Sequence, residues 1–449
     1  MARSTGTHRR GPRLTTRRAD LTTGVVAVGL GVIAGSSIIT TSSMWGTPGG
    51  TATSLGTVAA MVGTYLCLVL LLFISRVPWL EREMGHDRMV VWHRTVAPLA
   101  LALIFVHVAL TGWGFAQAAQ VNVGAEIVRL VTTYPWMMPA AVAFGLMMLL
   151  GLASYRGVRS RMKYETWWAS HLYFYLAVVL AFGHQIEGGI VLTQHPLIRI
   201  GWVALYVAVF GTILVSRFAI PVVSSLRHDL RVWQVVPEGH DMVSIYLTGR
   251  NLERINARGG QFFQWRFLTR TWWWQAHPYS LSAGPTNEWL RITVKDLGDQ
   301  SHALATSLHR GTRVIAEGPY GVFTAERRHS DRVVAIAAGV GITPIRAMLD
   351  DLNSTTDVTV LVRANGVDSV PLRRELEELA ARSGWRVWYL AGSRDDHPLT
   401  AEYLSGLAPH LAHSDVYVCG PEAFTDAVLR AARDAGVAEW HLHHESFAL

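Results

Sequence analysis

The chain has 449 residues, half of them hydrophobic, and a formal net charge of +7. This length allows two or three domains, and the apolar composition favours a membrane protein over a wholly soluble enzyme. Arginines in the N-terminal arm and in short loops account for most of the charge. Binding to anionic membrane lipid is enough to explain this positive charge, and no nucleic acid partner is expected. Two cysteines, Cys67 and Cys419, are too few for a disulfide framework or an iron–sulfur cluster.

Six long apolar runs fill the first half of the chain. Each reaches or approaches the length that a helix needs to span a membrane. They cover about residues 21–42, 55–75, 89–112, 135–154, 167–187 and 198–220. We expect an all-α six-helix transmembrane domain over 21–222 with an uncleaved first helix, preceded by a disordered basic arm over 1–20.

Arginine and lysine are concentrated in every second connection between these runs. They occupy the arm, the 76–94 segment and the 156–163 segment, whereas the opposite connections hold only Arg129. The positive-inside rule places both termini in the cytoplasm and makes the third and fifth spans parallel. The sequence therefore predicts a multi-pass protein of the cell membrane.

Two pairs of histidines lie inside the third and fifth runs. His93 and His107 share the third run, and His171 and His184 share the fifth. Imidazole is costly in hydrocarbon, and haem iron is a partner that offsets this cost. Because the spans are parallel, we expect His93 and His171 to bind an inner haem and His107 and His184 an outer haem. A satisfied polar residue in a bundle explains one such histidine, but two spaced pairs favour haem.

The spacing within the two pairs differs by one residue. Fourteen residues separate the first pair, which in a helix is a rise of about 21 Å on nearly one face. Thirteen residues separate the second pair, which leaves His184 about 140° away from the face of His171. Gly183 could allow the local unwinding or the close haem approach that corrects this difference.

The second half of the chain has the patterning of a soluble enzyme. From about Arg227, short alternating runs predict an antiparallel β-barrel over 227–328. After Asp331, repeated strand and helix units predict an α/β domain with a parallel sheet over 331–449.

Two segments of the predicted α/β domain end strands with small residues. After its first strand come Gly339, Gly341, Thr343 and Pro344, a turn that would present backbone amides and a helix N-terminus to a pyrophosphate. A tight structural turn would explain the pattern about as well. A later strand ends in Cys419, Gly420 and Pro421, which places a thiol at the ligand-binding edge, although a buried structural cysteine is the more common case.

One segment of the predicted barrel offers groups that a flavin nucleotide could use. It combines an imidazole, an aromatic ring and two hydroxyls. The segment consists of His277, Pro278, Tyr279, Ser280, Leu281 and Ser282.

Together and in this order, these features resemble the ferric reductase and NADPH oxidase superfamily. The matching features are the four histidines and the segments HPYSLS, VKDLGDQS, EGPYG, GVGITP, VYVCGP and ESF. In that superfamily a six-helix di-haem domain is fused to a ferredoxin-reductase-like module that binds FAD and NAD(P)H. The resemblance implies the same cofactors here: FAD, two b-type haems and NADPH, with NADH possible.

The resemblance also implies roles for individual residues. Tyr279 would pack on the isoalloxazine ring with Ser280 near its reactive edge, and His277 replaces an arginine of soluble relatives. Cys419 and Glu445 would lie by the nicotinamide. The flavin phosphates would lie along Lys295, Gly298 and Ser301, the nicotinamide cofactor's pyrophosphate would be held at Gly339, Gly341, Thr343 and Pro344, and Phe447 would cover the flavin ring.

The preference between the two nicotinamide cofactors depends on a few arginines. Arg363 follows the second strand of the α/β domain, and Arg373 and Arg374 come soon after it. A guanidinium group suits a 2'-phosphate, so this pattern favours NADPH, although surface arginines are ordinary on such a domain.

The predicted function is transmembrane electron transfer from cytoplasmic NAD(P)H to an extracytoplasmic acceptor. A ferric chelate is the favoured acceptor; O₂, giving superoxide or hydrogen peroxide, is an alternative, quinone is another possible acceptor, and a docked protein partner is a third hypothesis. Eukaryotic oxidases of the superfamily carry a further histidine where this chain has Thr111, which weakens the oxidase reading. Gln185, Glu187 and His195 are candidates for lining the outer mouth.

Overall fold

The computed structural model describes residues 13–77, 80, 84, 86–239, 241–270, 273, 275–296, 298–393 and 395–447. It divides into two compact units, Met1–Arg217 and Phe218–Leu449. The first unit is helical, and the second combines two antiparallel sheets with one parallel sheet. The predicted domain boundaries at 222, 227 and 331 stay predictions.

The helices of the first unit follow the apolar runs. In chain order they are α1 (Arg13–Thr41), α2 (Gly50–Ile74), α3 (His86–Ala119), α4 (Val123–Thr133), α5 (Met137–Ala153), α6 (Arg156–Arg159), α7 (Tyr164–His171), α8 (Tyr173–Leu180), α9 (Phe182–Gly188), α10 (Ile190–Gln194) and α11 (Pro196–Leu214).

Five segments among the described residues are long and apolar enough to cross a membrane. They are Leu21–Met44, Gly50–Ile74, Arg88–Ala119, Thr166–Gly188 and Pro196–His228. The fourth predicted run forms only α5, which reaches spanning length when it is counted with α4, to which it is bent by 118°. Pro135, which has no backbone N–H, and Trp136, whose φ of +63° is left-handed, interrupt the helix between them. The expected six spans are therefore five, or six if this bent pair is one span.

The N-terminal arm differs from the prediction where the structure describes it. Helix α1 begins at Arg13, so residues 13–20 are helical and the expected disorder is wrong for them. Once a helix is nucleated by an apolar span, extension costs little, and Arg and Leu are good helix formers. Residues 1–12 lie outside the described residues.

The second unit begins with α12 (Ile220–His228) and continues as two three-stranded antiparallel sheets. The strands are β1 (Arg231–Gly239), β2 (Met242–Thr248), β3 (Phe262–Phe267), β4 (His277–Ser280), β5 (Leu290–Lys295) and β6 (Val314–Tyr320), with α13 (Asp299–Ser307) before β6.

These two sheets do not form the expected closed barrel. Their strand orders are β1-β2-β5 and β4-β3-β6, and single bridges join them at Leu281 with Ile292 and at Arg231 with Arg313. Strand β4 has only four residues, so the chain crosses to the other sheet after too few pairs to extend the ladder. Trp265 and Leu281 are fully buried in the core between the sheets.

The rest of the second unit is the predicted parallel sheet, which is confirmed. Its strands are β7 (Arg332–Ala338), β8 (Asp357–Ala364), β9 (Arg386–Ala391), β10 (Asp415–Pro421) and β11 (Leu442–Phe447), in the order β11-β10-β7-β8-β9. Its helices are α14 (Ile342–Leu349), α15 (Arg373–Ser383), α16 (Ala401–Leu407) and α17 (Glu422–Asp434).

The strand order creates a crevice at one edge of this sheet. From β7 the chain moves to β8 on one side, whereas β10 lies on the other side of β7. Helices α14 and α15 cover one face, and α16 and α17 cover the other. Ligands of open α/β sheets bind where the strand order reverses, outside the carboxyl ends of the strands. Here that point lies between the ends of β7 and β10.

A buried ion pair joins the antiparallel sheets to the parallel-sheet domain. The Arg291 side chain on β5 is 3% exposed, and its two Nη atoms lie 2.5 and 2.8 Å from the Glu375 carboxylate on α15. Burial raises the pKa of Glu375, but Arg291 and Arg346 outweigh that effect and hold the pKa below its ordinary value. The stabilising carboxylate charge is therefore present at neutral pH and is lost as the pH falls through this lowered pKa.

We expect Arg291→Met to destabilise the second unit by about 2 kcal/mol, because it removes the main partner of Glu375, whose side chain is 32% exposed. The measurement is the temperature at which FAD fluorescence rises on release from the protein. Arg386→Met is the matched control, since Arg386 and Asp357 form an ion pair in which both side chains are 47% exposed. The Arg386→Met variant should lower the free energy of unfolding by less than about 1 kcal/mol. Equal losses in the two variants would contradict the assignment.

Candidate functional site

The inner pair of membrane histidines lies face to edge. The ring centroids of His93 and His171 are 6.2 Å apart, with their planes inclined at 68°. Two imidazoles that bind one metal ion from opposite sides, each with its nitrogen about 2 Å from the ion, have centroids roughly 6 Å apart. The spacing of this pair fits one bis-histidine haem.

A serine on α5's C-terminal side fixes the orientation of His171. The Ser154 hydroxyl donates to the Leu150 carbonyl (2.8 Å), so its oxygen accepts from Trp167 Nε1 and from His171 Nδ1, both at 3.2 Å. The proton of a neutral His171 then lies on Nδ1, which leaves Nε2 as the nitrogen for a metal. Hydrogen bonds of this kind orient metal-binding histidines in general.

The outer pair has a similar arrangement around His107. Its Nδ1 lies 3.0 Å from the Gly56 carbonyl and 3.1 Å from the Thr111 hydroxyl oxygen. Because a carbonyl only accepts, Nδ1 carries the proton and Nε2 again remains for a metal. His184, on the fifth span, is the other histidine of the predicted outer pair.

Glycine at position 56 allows helices α2 and α3 to approach closely at this point. A Cβ atom there would lie 2.5 Å from the Thr111 hydroxyl oxygen and 3.3 Å from the His107 carbonyl. Small residues commonly permit such contacts between membrane helices. The Nδ1 atoms of His93 and His184, by contrast, are buried and make no hydrogen bond within the described part of the chain. Each pair therefore combines one imidazole oriented through Nδ1 with one that is not.

Breaks in the fifth span reduce the angular offset that the spacing of thirteen residues creates. The span is divided into α7, α8 and α9, with interruptions at Leu172 and Ala181. At the first break the Tyr175 N–H donates to the Leu172 carbonyl, three residues back, at 3.1 Å. A 3₁₀ turn advances about 120° per residue and an α-helix about 100°, so this tightening rotates His184 toward the face of His171.

The structure shows no local unwinding at Gly183, which was one of the two expected effects of this glycine. Gly183 lies inside α9, and a Cβ atom there would be 2.6 Å from two carbons of the Trp136 ring. The glycine therefore permits close packing against this tryptophan, next to His184. The helix is interrupted at Leu172 and Ala181 instead, and the i→i+3 hydrogen bond forms at Leu172.

The three candidates for the outer mouth have different surroundings. Gln185 Oε1 accepts from Trp202 Nε1 (2.9 Å) and from the Tyr206 hydroxyl (3.1 Å), which holds it against α11. Glu187 forms an exposed ion pair, and His195 is exposed. Gln185 thus serves helix packing.

In the second unit, β4 carries the residues expected at the flavin. Ser280 is buried, and its hydroxyl oxygen makes no hydrogen bond within the described residues. Burial raises the pKa of Tyr279 to about 12, so its hydroxyl keeps its proton at neutral pH. The His277 ring stacks near Tyr279, with centroids 6.1 Å apart, and burial lowers the pKa of His277. An orphaned hydroxyl beside a partly buried aromatic ring fits a flavin.

The remaining residues of the segment have structural surroundings. Pro278 is exposed, and Leu281 is fully buried in the core. The Ser282 hydroxyl oxygen accepts from Arg291 Nε (3.1 Å) and from the Thr293 hydroxyl (2.8 Å). Leu281 and Ser282 therefore contact the protein, although a flavin role was expected for them.

The residues expected at the flavin phosphates lie together at the end of β5. Lys295 is the exposed last residue of the strand, and Gly298 is the residue before α13. The Ser301 hydroxyl oxygen accepts from the Gly298 N–H at 3.0 Å, which closes the first turn of this helix. Helix N-termini of this kind suit anionic groups.

The turn after β7 packs directly on the end of β10. Gly339 has φ +56° with open space around it, whereas a Cβ atom at Gly341 would lie 2.2 Å from the Cys419 carbonyl oxygen. Thr343 and Pro344 are buried in α14, and the Thr343 hydroxyl donates to the Val340 carbonyl at 3.0 Å. The predicted glycines thus line the crevice at the switch of strand order.

The cysteine and the glutamate expected at the nicotinamide lie on adjacent strands. Cys419 is fully buried, and its register partner on β11 is Glu445. Gly420 packs against Phe424, Pro421 is exposed, and the side chain of Phe447 lies outside the described residues.

The flavin and nicotinamide candidates come together at the loop after β6. A Cβ atom at Gly321 would lie 3.7 Å from Glu445 Oε1 and 3.3 Å from the ring of Phe262. Phe262 is in turn the register partner of Ser280 on β4. The structure thus brings Ser280 and the Cys419–Glu445 pair to one region of the second unit.

The sequence did not reveal the residues that orient these groups. Ser154, Gly56 and Arg291 act through hydrogen bonds or close packing with residues distant in sequence. No spacing pattern signals such partners.

Family models match three successive parts of the chain. The ferric reductase like transmembrane component matches residues 59–182, an FAD-binding domain matches 228–324, and an oxidoreductase NAD-binding domain matches 335–430. Three of the four membrane histidines lie within the first match, and His184 lies just beyond it. The three matches together correspond to a ferric reductase-like fusion. In this ferric reductase-like protein the transmembrane component is fused to a ferredoxin-reductase-like FAD and NAD module, which confirms the resemblance.

Curated relatives match 38% of this ferric reductase-like protein. A flavohemoprotein of Vibrio cholerae serotype O1 is 33% identical over 180 residues, which is 38% of this chain and 45% of the relative. The glycine betaine monooxygenase reductase subunit of Chromohalobacter salexigens is 27% identical over 185 residues, which is 38% of this chain and 50% of the relative. The chain spans about half the length of the curated relatives it matches.

A solved structure also matches about half of the chain. The FAD/NAD-binding domain of nitric oxide dioxygenase from Vibrio cholerae O1 biovar El Tor is 26% identical, and the match covers 49% of this chain and 98% of that chain with a TM-score of 0.40.

Proposed function

We propose that this ferric reductase-like protein transfers electrons from cytoplasmic NAD(P)H, through FAD and two b-type haems, to an extracytoplasmic ferric chelate. The observation that carries the proposal is the pairing of imidazoles from the third and fifth spans in a chain that also holds FAD and NAD domains. A flavin accepts a hydride and releases electrons one at a time, and bis-histidine haem carries single electrons.

The second unit would position the hydride donor against its acceptor. The turn at Gly339 and Gly341 would hold the pyrophosphate with backbone amides, and Cys419 and Glu445 would lie by the nicotinamide. Tyr279 would pack on the flavin ring, with the orphaned Ser280 hydroxyl donating to it. Phe447 would cover the ring until NAD(P)H displaces it.

The first unit would hold both haems by two ligands each. His93 with His171, and His107 with His184, would each hold one haem, and a haem held by two imidazoles supplies single-electron transfer and does not bind O₂. The Nδ1 contacts of His107 and His171 would keep Nε2 unprotonated for ligation. An acceptor would therefore be reduced at the haem edge.

Ferric chelate is proposed over O₂ because of the surroundings of the outer pair. The position of the extra histidine in eukaryotic oxidases is Thr111 here, and its hydroxyl contacts His107 Nδ1. A hydroxyl carries no positive charge and does not release its proton near neutral pH, whereas an imidazole can do both. The basic connections would face the cytoplasm under the positive-inside rule, which puts the outer pair toward the opposite side.

The acceptor is tested with purified protein loaded with FAD and haem. The protein is reduced anaerobically with NADPH, and haem reoxidation is followed after ferric chelate, O₂ or quinone is added. We expect the fastest reoxidation with ferric chelate. Fast reoxidation by O₂ alone, with superoxide detected, would favour the oxidase, and reoxidation only by a co-purifying extracytoplasmic protein would favour a partner-dependent role.

The choice of NADPH over NADH is assigned to arginines near the end of β8. Arg363 donates to the Leu390 and Gly392 carbonyls at 2.9 and 2.8 Å, Arg373 pairs with acidic side chains, and Arg374 is exposed. Arg363 and Arg374 would share a 2'-phosphate. We expect Arg363→Gln, and to a smaller extent Arg374→Gln, to reduce the ratio of kcat/KM for NADPH to that for NADH by about tenfold. Arg382→Gln, on the exposed end of α15, is the control, and an unchanged ratio in both variants would remove the assignment.

A further inference from the structure

A buried aspartate at the start of β10 is surrounded by histidines. The Asp415 side chain has no exposed surface, and its Oδ1 lies 3.1 Å from His441 Nδ1, 2.9 Å from His443 Nε2 and 3.6 Å from His329 Nδ1. These residues come from the loop before β7 and from the beginning of β11. The cluster therefore lies at the N-terminal edge of the parallel sheet, opposite the crevice that serves the nicotinamide.

The backbone fixes the direction of this carboxylate. Asp415 Oδ2 accepts the N–H groups of His329 (2.7 Å) and Ser330 (2.5 Å). Oδ1 is consequently the oxygen that faces the imidazoles. A carboxylate oriented through its second oxygen is the arrangement found around metal ligands.

Hydrogen bonds to Asp415 Oδ1 account for only two of the three imidazoles around it. A carboxylate oxygen has two lone pairs, and three imidazole nitrogens converge on Asp415 Oδ1. The ring of His443 stacks on Tyr417, with centroids 4.3 Å apart, and its N–H is directed to the oxygen at the shortest of the three distances. His441 Nδ1 takes the second lone pair at 3.1 Å, and His329 Nδ1 lies nearby at 3.6 Å, beyond hydrogen-bond distance.

We propose that Asp415, His329 and His441 bind a divalent transition-metal ion of the Zn²⁺ class. Their ligand atoms all lie within 4.8 Å of one another. Ligand atoms about 2 Å from a tetrahedral ion are about 3.3 Å apart, a value bracketed by the distances of 3.1 and 3.6 Å from Oδ1 to the two nitrogens.

The chemistry of the site selects this class of ion. Two imidazoles and one carboxylate suit Zn²⁺, whereas Ca²⁺ and Mg²⁺ prefer oxygen ligands throughout. The side chains of His329 and His441 are 28% and 19% exposed, so the ion has an entry path and water completes the coordination. His443 would donate to the second lone pair of Oδ1.

The metal would anchor strand β11. His441 immediately precedes this strand and His443 is its second residue. Glu445, two residues beyond His443, lies on the same face about 7 Å further along. Occupancy of the site would therefore restrict the strand that carries a residue assigned to the nicotinamide. The binding itself does not depend on the proposed electron transfer.

The test uses the tag-free full chain loaded with FAD and haem. Zn²⁺ is titrated against a chromophoric chelator, and Co²⁺ is used as a spectroscopic substitute. We expect one Zn²⁺ per chain with micromolar or tighter affinity, and the intense visible absorption of four-coordinate Co²⁺. His329→Gln and His441→Gln should each weaken binding at least tenfold and remove this absorption, with FAD content unchanged.

His444→Gln is the matched control, because His444 is the exposed neighbour on the same strand. It should bind Zn²⁺ as the unmodified protein does. The proposal is overturned if the unmodified protein binds no Zn²⁺ at micromolar concentrations, or if both cluster variants bind it with unchanged affinity. In the unmodified protein, Zn²⁺ should also slow amide hydrogen exchange in β11, and unchanged exchange there would contradict the site even if the variants do not fold.

Discussion

Replacing His107 by alanine is expected to leave one haem per chain instead of two. The imidazole is one of two ligands assigned to the outer haem, and alanine offers the iron no donor. Reduction of ferric chelate by NADPH should fall at least a hundredfold, whereas reduction of FAD by NADPH should continue. Haem content is measured spectroscopically after extraction, and the two rates are measured by rapid mixing under anaerobic conditions.

The matched control for this variant is His195→Ala. His195 is an exposed histidine just before α11 and contacts neither histidine pair among the described residues. It should retain two haems with unchanged bis-histidine spectra. If His107→Ala instead keeps two haems with unchanged bis-histidine spectra, the pairing of His107 with His184 is wrong.

Replacing Gly341 by alanine is expected to impair the use of NAD(P)H while FAD stays bound. The new Cβ atom would lie 2.2 Å from the Cys419 carbonyl oxygen and 3.0 Å from the Gly420 backbone nitrogen. Because these neighbours are backbone atoms, the turn must move away from β10, at a cost of about 1 to 3 kcal/mol. We expect kcat/KM for NADPH to fall at least tenfold, since the displaced turn is assigned to the pyrophosphate.

Gly366→Ala tests whether this loss is specific to the crevice. Gly366 lies after β8 in extended backbone, and a Cβ atom there has nothing within 4 Å. Its kcat/KM should match that of the unmodified protein. A Gly341→Ala variant with unchanged kcat/KM would show that the turn can shift without affecting the cofactor.

The elements that sequence predicts well are those that depend on local composition. Length and apolarity specify membrane helices, and the alternation of strand and helix specifies the parallel sheet. The fourth span was harder to predict, because Pro135 and Trp136 divide an apolar segment into two helices with a bend of 118°. The expected barrel failed for a long-range reason: closure depends on how many pairs each strand makes, and β4 makes only four.

The groups that orient the candidate ligands could not be predicted. Gly56 lies 51 residues before His107, and Ser154 lies 17 residues before His171, on other helices. The spacing of His171 and His184 showed that a distortion was needed, but the position of the break depends on hydrogen bonding at Leu172. Likewise, Asp415 and the amides that hold its carboxylate are about 85 residues apart in sequence.

Transfer of electrons across a membrane is the central claim, and sealed proteoliposomes test it most directly. Ferric chelate and an impermeant indicator of ferrous iron are enclosed, and NADPH is added outside to vesicles whose flavin and nucleotide domains face outward. We predict that ferrous iron forms inside these vesicles, and that vesicles with His107→Ala form none while those with His195→Ala still form it. Reduction only of chelate placed on the same side as NADPH, at equal rates in all three proteins, would contradict the account.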